Sequence, residues 1–336
     1  MQIDADGTSR AMAWGHADLS SGQAMSTGTV ARLYSGTKIV TASTIAMLVE
    51  RGLLSLQTDV REILPDLPLK HSITLEQLAA HTSGLPDTLR AFIAVHYSDE
   101  KQPSTGEALA RFELSKGRPP GPPASYRNVN YALLAEVISR TAGTSYEDFV
   151  RTELLDPWGS CADFSVASFQ EDSIATGYLR RFDPVRLVAP WLLGDSARRL
   201  FGTAEGRYVP LHAFDLDCAG IGGLVGSVTD FAPIIAEFLS ESDGVLQAES
   251  KRKMLSKHAN GKVGVISDRG VGLAWKLGES GGSPYWNHEG GGPGYCSELR
   301  LYPAQRTGFV ILFNLSQSRG LSKTAHTICE ALRQAA

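Results

Sequence analysis

Strand-like runs separated by glycine turns stand at both ends of this chain, while helical spacing fills its middle, and that distribution constrains the fold most. Ile3–Asp6 and Ser9–His16 read as two short strands turning at Gly7. The last third alternates strand-like Gly270–Leu277, Tyr285–His288, Cys296–Tyr302 and Gly308–Asn314, with hairpin turns at Gly278–Pro284 and Pro303–Arg306. Leu321–Gln334 reads as a closing helix. Between the ends, Ile39–Arg51 is an apolar helical run stopped by Gly52, and Tyr131–Arg140 carries apolar residues at helical spacing up to Gly143. Ser227-Val228-Thr229-Asp230 starts an amphipathic helix to about Leu239, with a capping-box pattern that has Asp in place of Glu. The expected architecture is α/β of the α+β type: a mostly antiparallel sheet built from both ends of the chain, flanked by helices, with an all-helical lobe inserted and a cleft between them. The boundaries that follow are 1–60 with 217–336 for the sheet domain and 61–216 for the helical lobe.

Within the lobe, Leu53–Leu64 and Thr74–Ala80 precede His81-Thr82-Ser83-Gly84-Leu85-Pro86, and a helical pattern runs from about Thr105 to Leu155. It is broken by Gly117-Arg118-Pro119-Pro120-Gly121-Pro122-Pro123, which cannot be helical and sets the approach of Tyr126-Arg127-Asn128. Phe164–Leu216 is expected to be irregular, a lid or a substrate-facing insertion. There is no internal repeat.

Composition removes several function classes. The 336 residues carry 32 Lys+Arg against 36 Asp+Glu with no basic run, which argues against nucleic acid or an anionic membrane surface as partner. No apolar stretch is long enough for a transmembrane helix. Met1-Gln2-Ile3-Asp4-Ala5-Asp6 has neither the basic nor the apolar region of a signal peptide, so the expected location is the cytoplasm, or the periplasm if a leader was removed. Cys161, Cys218, Cys296 and Cys329 are far apart and form no metal-ligand spacing, so they are expected to be buried free thiols, with no cofactor and no metal. A homo-oligomer is left open.

The chemistry concentrates at Tyr34-Ser35-Gly36-Thr37-Lys38, where the apolar helix begins. Positions i and i+3 share a helix face, so the Ser35 hydroxyl and the Lys38 amine point to one place. The Ser35 N–H lies at the helix N-terminus, where free donors and the dipole favour developing negative charge. A nucleophile, a proton acceptor and part of an oxyanion hole thus come from four consecutive residues, as acyl transfer requires. S-x-x-K alone is weak; the rest of the chain supplies its support.

Ser35-Gly36-Thr37-Lys38 resembles the first motif of the serine β-lactamase and penicillin-binding-protein superfamily. Tyr126-Arg127-Asn128 resembles the second motif of its class C-like branch, Y-x-N, and His288-Glu289-Gly290 stands where that branch has Lys-Thr-Gly or His-x-Gly. Leu78–Pro86 is similar to the family's L-L-x-H-T-S-G-L-P segment, Asp156-Pro157-Trp158-Gly159 to its D-P-L-G turn, and Gly291–Tyr295 to its G-G-x-P-G-F loop. The likeness runs from about Gly7 to the C-terminus in the family's order. It implies a β-lactamase/transpeptidase-like fold, with Ser35 as nucleophile, Lys38 and Tyr126 as catalytic partners, Asn128 on the acyl side of the substrate, and Gly291 as second oxyanion donor beside Gly290. Family members usually begin with a helix and a full first strand, so the closing helix here is expected to lack its usual packing partner.

Serine needs a base, and both Lys38 and Tyr126 are candidates. The pair titrates together, so sequence does not assign the proton; the working expectation is Tyr126 as base, with Lys38 holding the charge. His288 replaces the family's lysine with a mostly neutral group, and Glu289 replaces its hydroxyl with an anion, facing either the cleft or solvent. An anion there would repel a substrate carboxylate. The expected activity is therefore a serine hydrolase acting on a small ester or amide, foremost a β-lactamase-like carboxylesterase. The alternatives are β-lactamase, D-Ala-D-Ala carboxypeptidase, D-aminopeptidase, an acyltransferase, and a catalytically silent ligand-binding protein. Gly278-Glu279-Ser280-Gly281-Gly282 also fits G-x-S-x-G, but Gly281-Gly282-Ser283-Pro284 cannot begin the helix that a nucleophile elbow needs. His81 is expected to be structural.

Overall fold

The computed structural model describes residues 1–88, 94–193, 196–261 and 269–335. Its largest element is a seven-stranded sheet in which every pairing is antiparallel. The strands are β1 (Gln2–Asp4), β2 (Ser9–Arg10), β3 (Gly270–Val271), β4 (Lys276–Ser280), β5 (Ser283–Gly292), β6 (Tyr295–Tyr302) and β7 (Thr307–Phe313), in spatial order β2-β1-β7-β6-β5-β4-β3. Both ends of the chain therefore meet in one sheet, with Ile3 opposite Gly308. The expected second strand is cut to Ser9–Arg10; Met12 and Trp14 beyond it are exposed, so no burial holds that segment in the sheet. The β4–β5 turn needs left-handed backbone at both central positions, and Gly281 and Gly282 supply it with φ of 55° and 78°.

The sheet's two faces are covered differently. Leu299, Leu301 and Val310 join the main core together with α1 (Thr37–Glu50), α2 (Val129–Ala142) and α3 (Val228–Leu239). α1 is buried on every side from Thr37 to Leu48, because its sequence is apolar or small all round except for Lys38. α3 buries one face and starts from a reciprocal cap: Ser227 Oγ accepts from Asp230 N, and Asp230 Oδ2 accepts from Ser227 N. On the opposite sheet face α4 (Arg319–Ala335) packs Cys329 and Leu332 against Tyr285, Tyr302 and Phe309. The closing helix thus has the sheet itself as packing partner.

Two expectations change. The stretch 164–216 is ordered in part: Tyr178–Arg180 pairs with Tyr208–Pro210, and Leu179, Val209, Leu211 and Phe214 share a cluster with Tyr34 and Tyr295. Short elements of this kind are stabilised by tertiary burial and leave little local signal. Cys161 is exposed, while Cys218, Cys296 and Cys329 are buried thiols. No helix among the described residues is long and apolar enough to cross a membrane.

Candidate active site

Ser35 lies in a single 3-10 turn, Tyr34–Gly36, that runs straight into α1. Tyr34 adopts φ of 48°, a costly conformation for a bulky side chain, directly before the serine. β5 closes over this turn. Gly290 is where the two backbones touch: a Cβ there would overlap the Leu33 carbonyl oxygen and Ser297 Oγ. β4 pairs with β5 only as far as Asn287, so the edge from His288 to Gly292 is not covered by β4 and borders the serine. Gly291 thereby stands with its backbone beside the Tyr34–Gly36 turn, and the Gln317 side chain packs on it.

One helical turn on, Lys38 is fully buried. Its Nζ is 3.1 Å from Ser35 Oγ and donates to the Ile221 carbonyl at 2.7 Å. Burial pushes its pKa down to about 7, helped by the Lys276 ammonium and opposed by Asp87. Tyr126 comes from the loop after the Pro/Gly cluster. Its ring stacks on His81 with 4.5 Å between centroids, and Lys38 Nζ and Lys276 Nζ lie 5.2 Å and 5.3 Å from its centroid. Burial raises the phenol well above its ordinary value, against a lowering hydrogen bond with Ser35, and Asp87 and Glu289 raise it further. The site therefore holds a neutral phenol beside an amine whose pKa burial has brought down to about 7.

His288 is fully buried, with Nδ1 on the Ala274 carbonyl and Nε2 at 3.4 Å from the Tyr126 hydroxyl. A carbonyl only accepts, so Nδ1 carries the hydrogen and Nε2 is an acceptor. Burial, then Lys276 and Lys38, hold the ring far below its ordinary pKa, so it is neutral. The Tyr126 O–H thus points its hydrogen at Nε2 over a long contact.

Asn128 opens α2. Its backbone N–H and that of Val129 donate to Asp87 Oδ2 and Oδ1, each at 2.9 Å, so one carboxylate holds the helix N-terminus. The Asn128 Oδ1 is buried, and no described residue donates to it. An orphaned buried acceptor is costly unless a ligand completes it. Glu289 is buried as well, with Oε2 3.4 Å from Lys276 Nζ, and it stands across the ladder from Glu298, which Arg300 Nη2 meets at 2.6 Å. Of the two orientations open to Glu289, the structure has it turned inward. The charge it brings is matched by Lys276, which weakens the expected repulsion of a substrate carboxylate.

His81 does not contact the serine. It adopts φ of 57°, and its Nδ1 accepts from Arg127 N at 3.2 Å, supporting the backbone next to Tyr126. Ser280 also has a histidine nearby, His326 Nε2 at 3.4 Å. His326 Nδ1 faces Arg300 Nη1 at 2.8 Å, and a guanidinium only donates. Nε2 therefore carries the proton and cannot take one from Ser280, which sits at the end of β4 before a hairpin turn.

Ser35, Lys38, Tyr126, Asn128, His288, Glu289, Gly290 and Gly291 are thus brought to one place. Sequence reasoning missed Lys276 and Asp87. Lys276 had a signal: a single lysine in Val271-Gly272-Leu273-Ala274-Trp275-Lys276-Leu277. Asp87 had none, because the helix it caps begins 42 residues later. Among the described residues no group of three or more His, Cys, Asp or Glu could hold a metal ion.

The profile of the family described as Beta-lactamase matches residues 4–332. Penicillin-binding protein 4* of Bacillus subtilis (strain 168) is 26% identical over 307 residues, covering 90% of this chain and 64% of the relative. Penicillin-binding protein 4 of Amycolatopsis lactamdurans is 25% identical over 337 residues, covering 94% and 80%. The chain thus spans just under two thirds of the length of the Bacillus relative. Among solved structures, the D-amino acid amidase from Ochrobactrum anthropi SV3 complexed with L-phenylalanine superposes with a TM-score of 0.79 at 20% identity, covering 96% of this chain and 90% of the other. The octameric penicillin-binding protein homologue from Pyrococcus abyssi gives 0.75 at 23% identity, covering 93% and 68%. At these identities the structural likeness establishes the fold.

Proposed function

The chain belongs to the β-lactamase family, and from that premise we propose that it is a serine hydrolase that forms an acyl-enzyme on Ser35 and acts on small esters or amides, foremost as a carboxylesterase. The observation that carries this reading is the Lys38 amine, 3.1 Å from Ser35 Oγ and brought down to a pKa of about 7 by burial. Lys38, rather than Tyr126 as the sequence suggested, takes the serine proton as Oγ bonds to the carbonyl carbon. The phenol is held above its ordinary pKa and is a poor base near neutrality. The Ser35 N–H and the Gly291 N–H are assigned to the oxyanion, and the Asn128 amide to the acyl side. When the bond to the leaving group breaks, Tyr126 protonates that group, and Lys38 returns its proton to Tyr126. Water then attacks the ester carbon and gives one proton to Lys38, which passes it to Ser35 Oγ as the acyl–oxygen bond breaks, and the acid departs with the other hydrogen.

The test is labelling by a fluorophosphonate probe, followed by burst kinetics with a p-nitrophenyl ester. Wild type should label and burst, and Ser35→Ala should do neither. Equal labelling of both, or none of wild type, would overturn the assignment; none of wild type would favour a ligand-binding protein. Pairing of Glu289 with Lys276 supports a second reading, turnover or capture of a carboxylate-bearing β-lactam, as the names of the relatives suggest. Nitrocefin hydrolysis or labelling by a fluorescent penicillin separates the two.

A further inference from the structure

Two buried lysines approach the phenol ring, and the reaction as described uses only one. Lys276 is 5% exposed, on β4, with its ammonium 5.3 Å from the Tyr126 ring centroid and 3.4 Å from Glu289 Oε2. We propose that Lys276, held in place by Glu289, is a positioning charge for Lys38: standing against the same phenol ring, it keeps Lys38 in the uncharged form that accepts the Ser35 proton. The inference rests on the acyl-enzyme reading and adds to it a residue outside all three motifs.

The geometry is restrictive. Lys38 Nζ and Lys276 Nζ lie 5.2 Å and 5.3 Å from one centroid, so they are no more than about 10.5 Å apart. Both are in the interior, where like charges are weakly screened. The other groups facing Lys38 do not replace this effect. Tyr126 and Tyr131 present their rings, the latter at 5.6 Å, and both are neutral phenols. Cys218 is a thiol that burial pushes up to about 12. His81 and His288 are buried and kept neutral, in part by the two lysines themselves. Asp87, which accepts from the N-terminus of α2, acts in the opposite sense by favouring the charged amine. Lys276 is thus the cation that counters Asp87, and the amine is poised between them. Glu289 Oε2, 3.4 Å from Lys276 Nζ, holds that side chain in place.

The experiment measures the second-order rate of fluorophosphonate labelling from pH 5 to 10. Wild type should rise through a midpoint near the Lys38 value. Lys276→Met removes the repelling charge, so Lys38 holds its proton longer. The midpoint should climb by about half a pH unit to one pH unit, and labelling at pH 6 should fall roughly threefold to tenfold. Lys276→Arg keeps the charge and should keep the midpoint. If Lys276→Met does not fold, Lys276→Gln removes the same charge with a polar side chain, and its midpoint should likewise lie above wild type. An unmoved midpoint in the folded Met variant, or one moved equally in the Arg variant, overturns the inference while leaving Ser35 chemistry intact. A wild type that does not label at all overturns the acyl-enzyme reading and this inference with it.

Discussion

Removing the Asp87 carboxylate should both loosen the second motif and shift the pH dependence of the site. In the structure this side chain accepts two backbone N–H groups, from Asn128 and Val129, each at 2.9 Å. These are charge-assisted bonds at a helix N-terminus. Such bonds contribute about 1.5 to 3 kcal/mol each where buried, and less at the partial exposure of Asp87. Asp87→Ala should therefore lower the unfolding free energy by about 2 to 4 kcal/mol. Asp87→Asn keeps one acceptor oxygen and should lose about half of that. The electrostatic consequence is separate. Asp87 raises the proton affinity of Lys38, so its removal lets the amine lose its proton at lower pH. The uncharged amine is the form that works, so the rising limb of fluorophosphonate labelling should move below about 7 in both variants. Urea unfolding measures the first effect, and the labelling profile measures the second. The midpoint is the relevant quantity there, because a displaced Tyr126 also lowers the plateau. Should Asp87→Asn unfold within about 0.5 kcal/mol of wild type and keep its midpoint, the assigned role of this carboxylate is wrong.

Tyr126→Phe deletes a half-buried hydroxyl that makes a long 3.4 Å approach to His288 and a hydrogen bond with Ser35, so the unfolding free energy should change by about 1 kcal/mol at most. Turnover of a p-nitrophenyl ester should fall by roughly 10²- to 10⁴-fold, and near-full activity would remove the proton-donor role. Lys38→Met should abolish labelling yet raise stability at pH 7 by several kcal/mol, read by urea unfolding. The unfolded lysine holds its proton to about 10.5 and the folded one to about 7. Between those values the unfolded chain binds more protons, so wild-type stability should rise with pH across that window, and the Met variant should lack the rise.

The legible parts of this protein were those written locally. The Ser227 cap with Asp230, the turn at Gly281-Gly282, and α1 as an apolar run behind Ser35 all follow from spacing and residue type over a few positions. The spacing of Ser35 and Lys38 placed both on one helix face, and the structure has them 3.1 Å apart. The residues of the three motifs also lie together, because the Ser35 turn runs into α1, Asn128 opens α2, and the Gly290 stretch of β5 packs on the turn that carries Ser35. The order inside residues 164–216 was not legible: Leu179 and Val209 are stabilised by Tyr34 and Tyr295, which are far away in the chain.

By itself, the sequence determined the antiparallel sheet drawn from both ends, the inserted helices, and which residue types could meet at Ser35. Only the tertiary structure decided their ionisation. Whether an amine or a phenol is deprotonated near neutrality depends on desolvation and on charges a few ångströms away, and those charges come from Asp87 and Lys276, on separate loops and strands. Neighbouring residues specify local geometry through short-range sterics and hydrogen bonds, whereas proton affinity is set by every charge that folding brings close in a poorly screened interior.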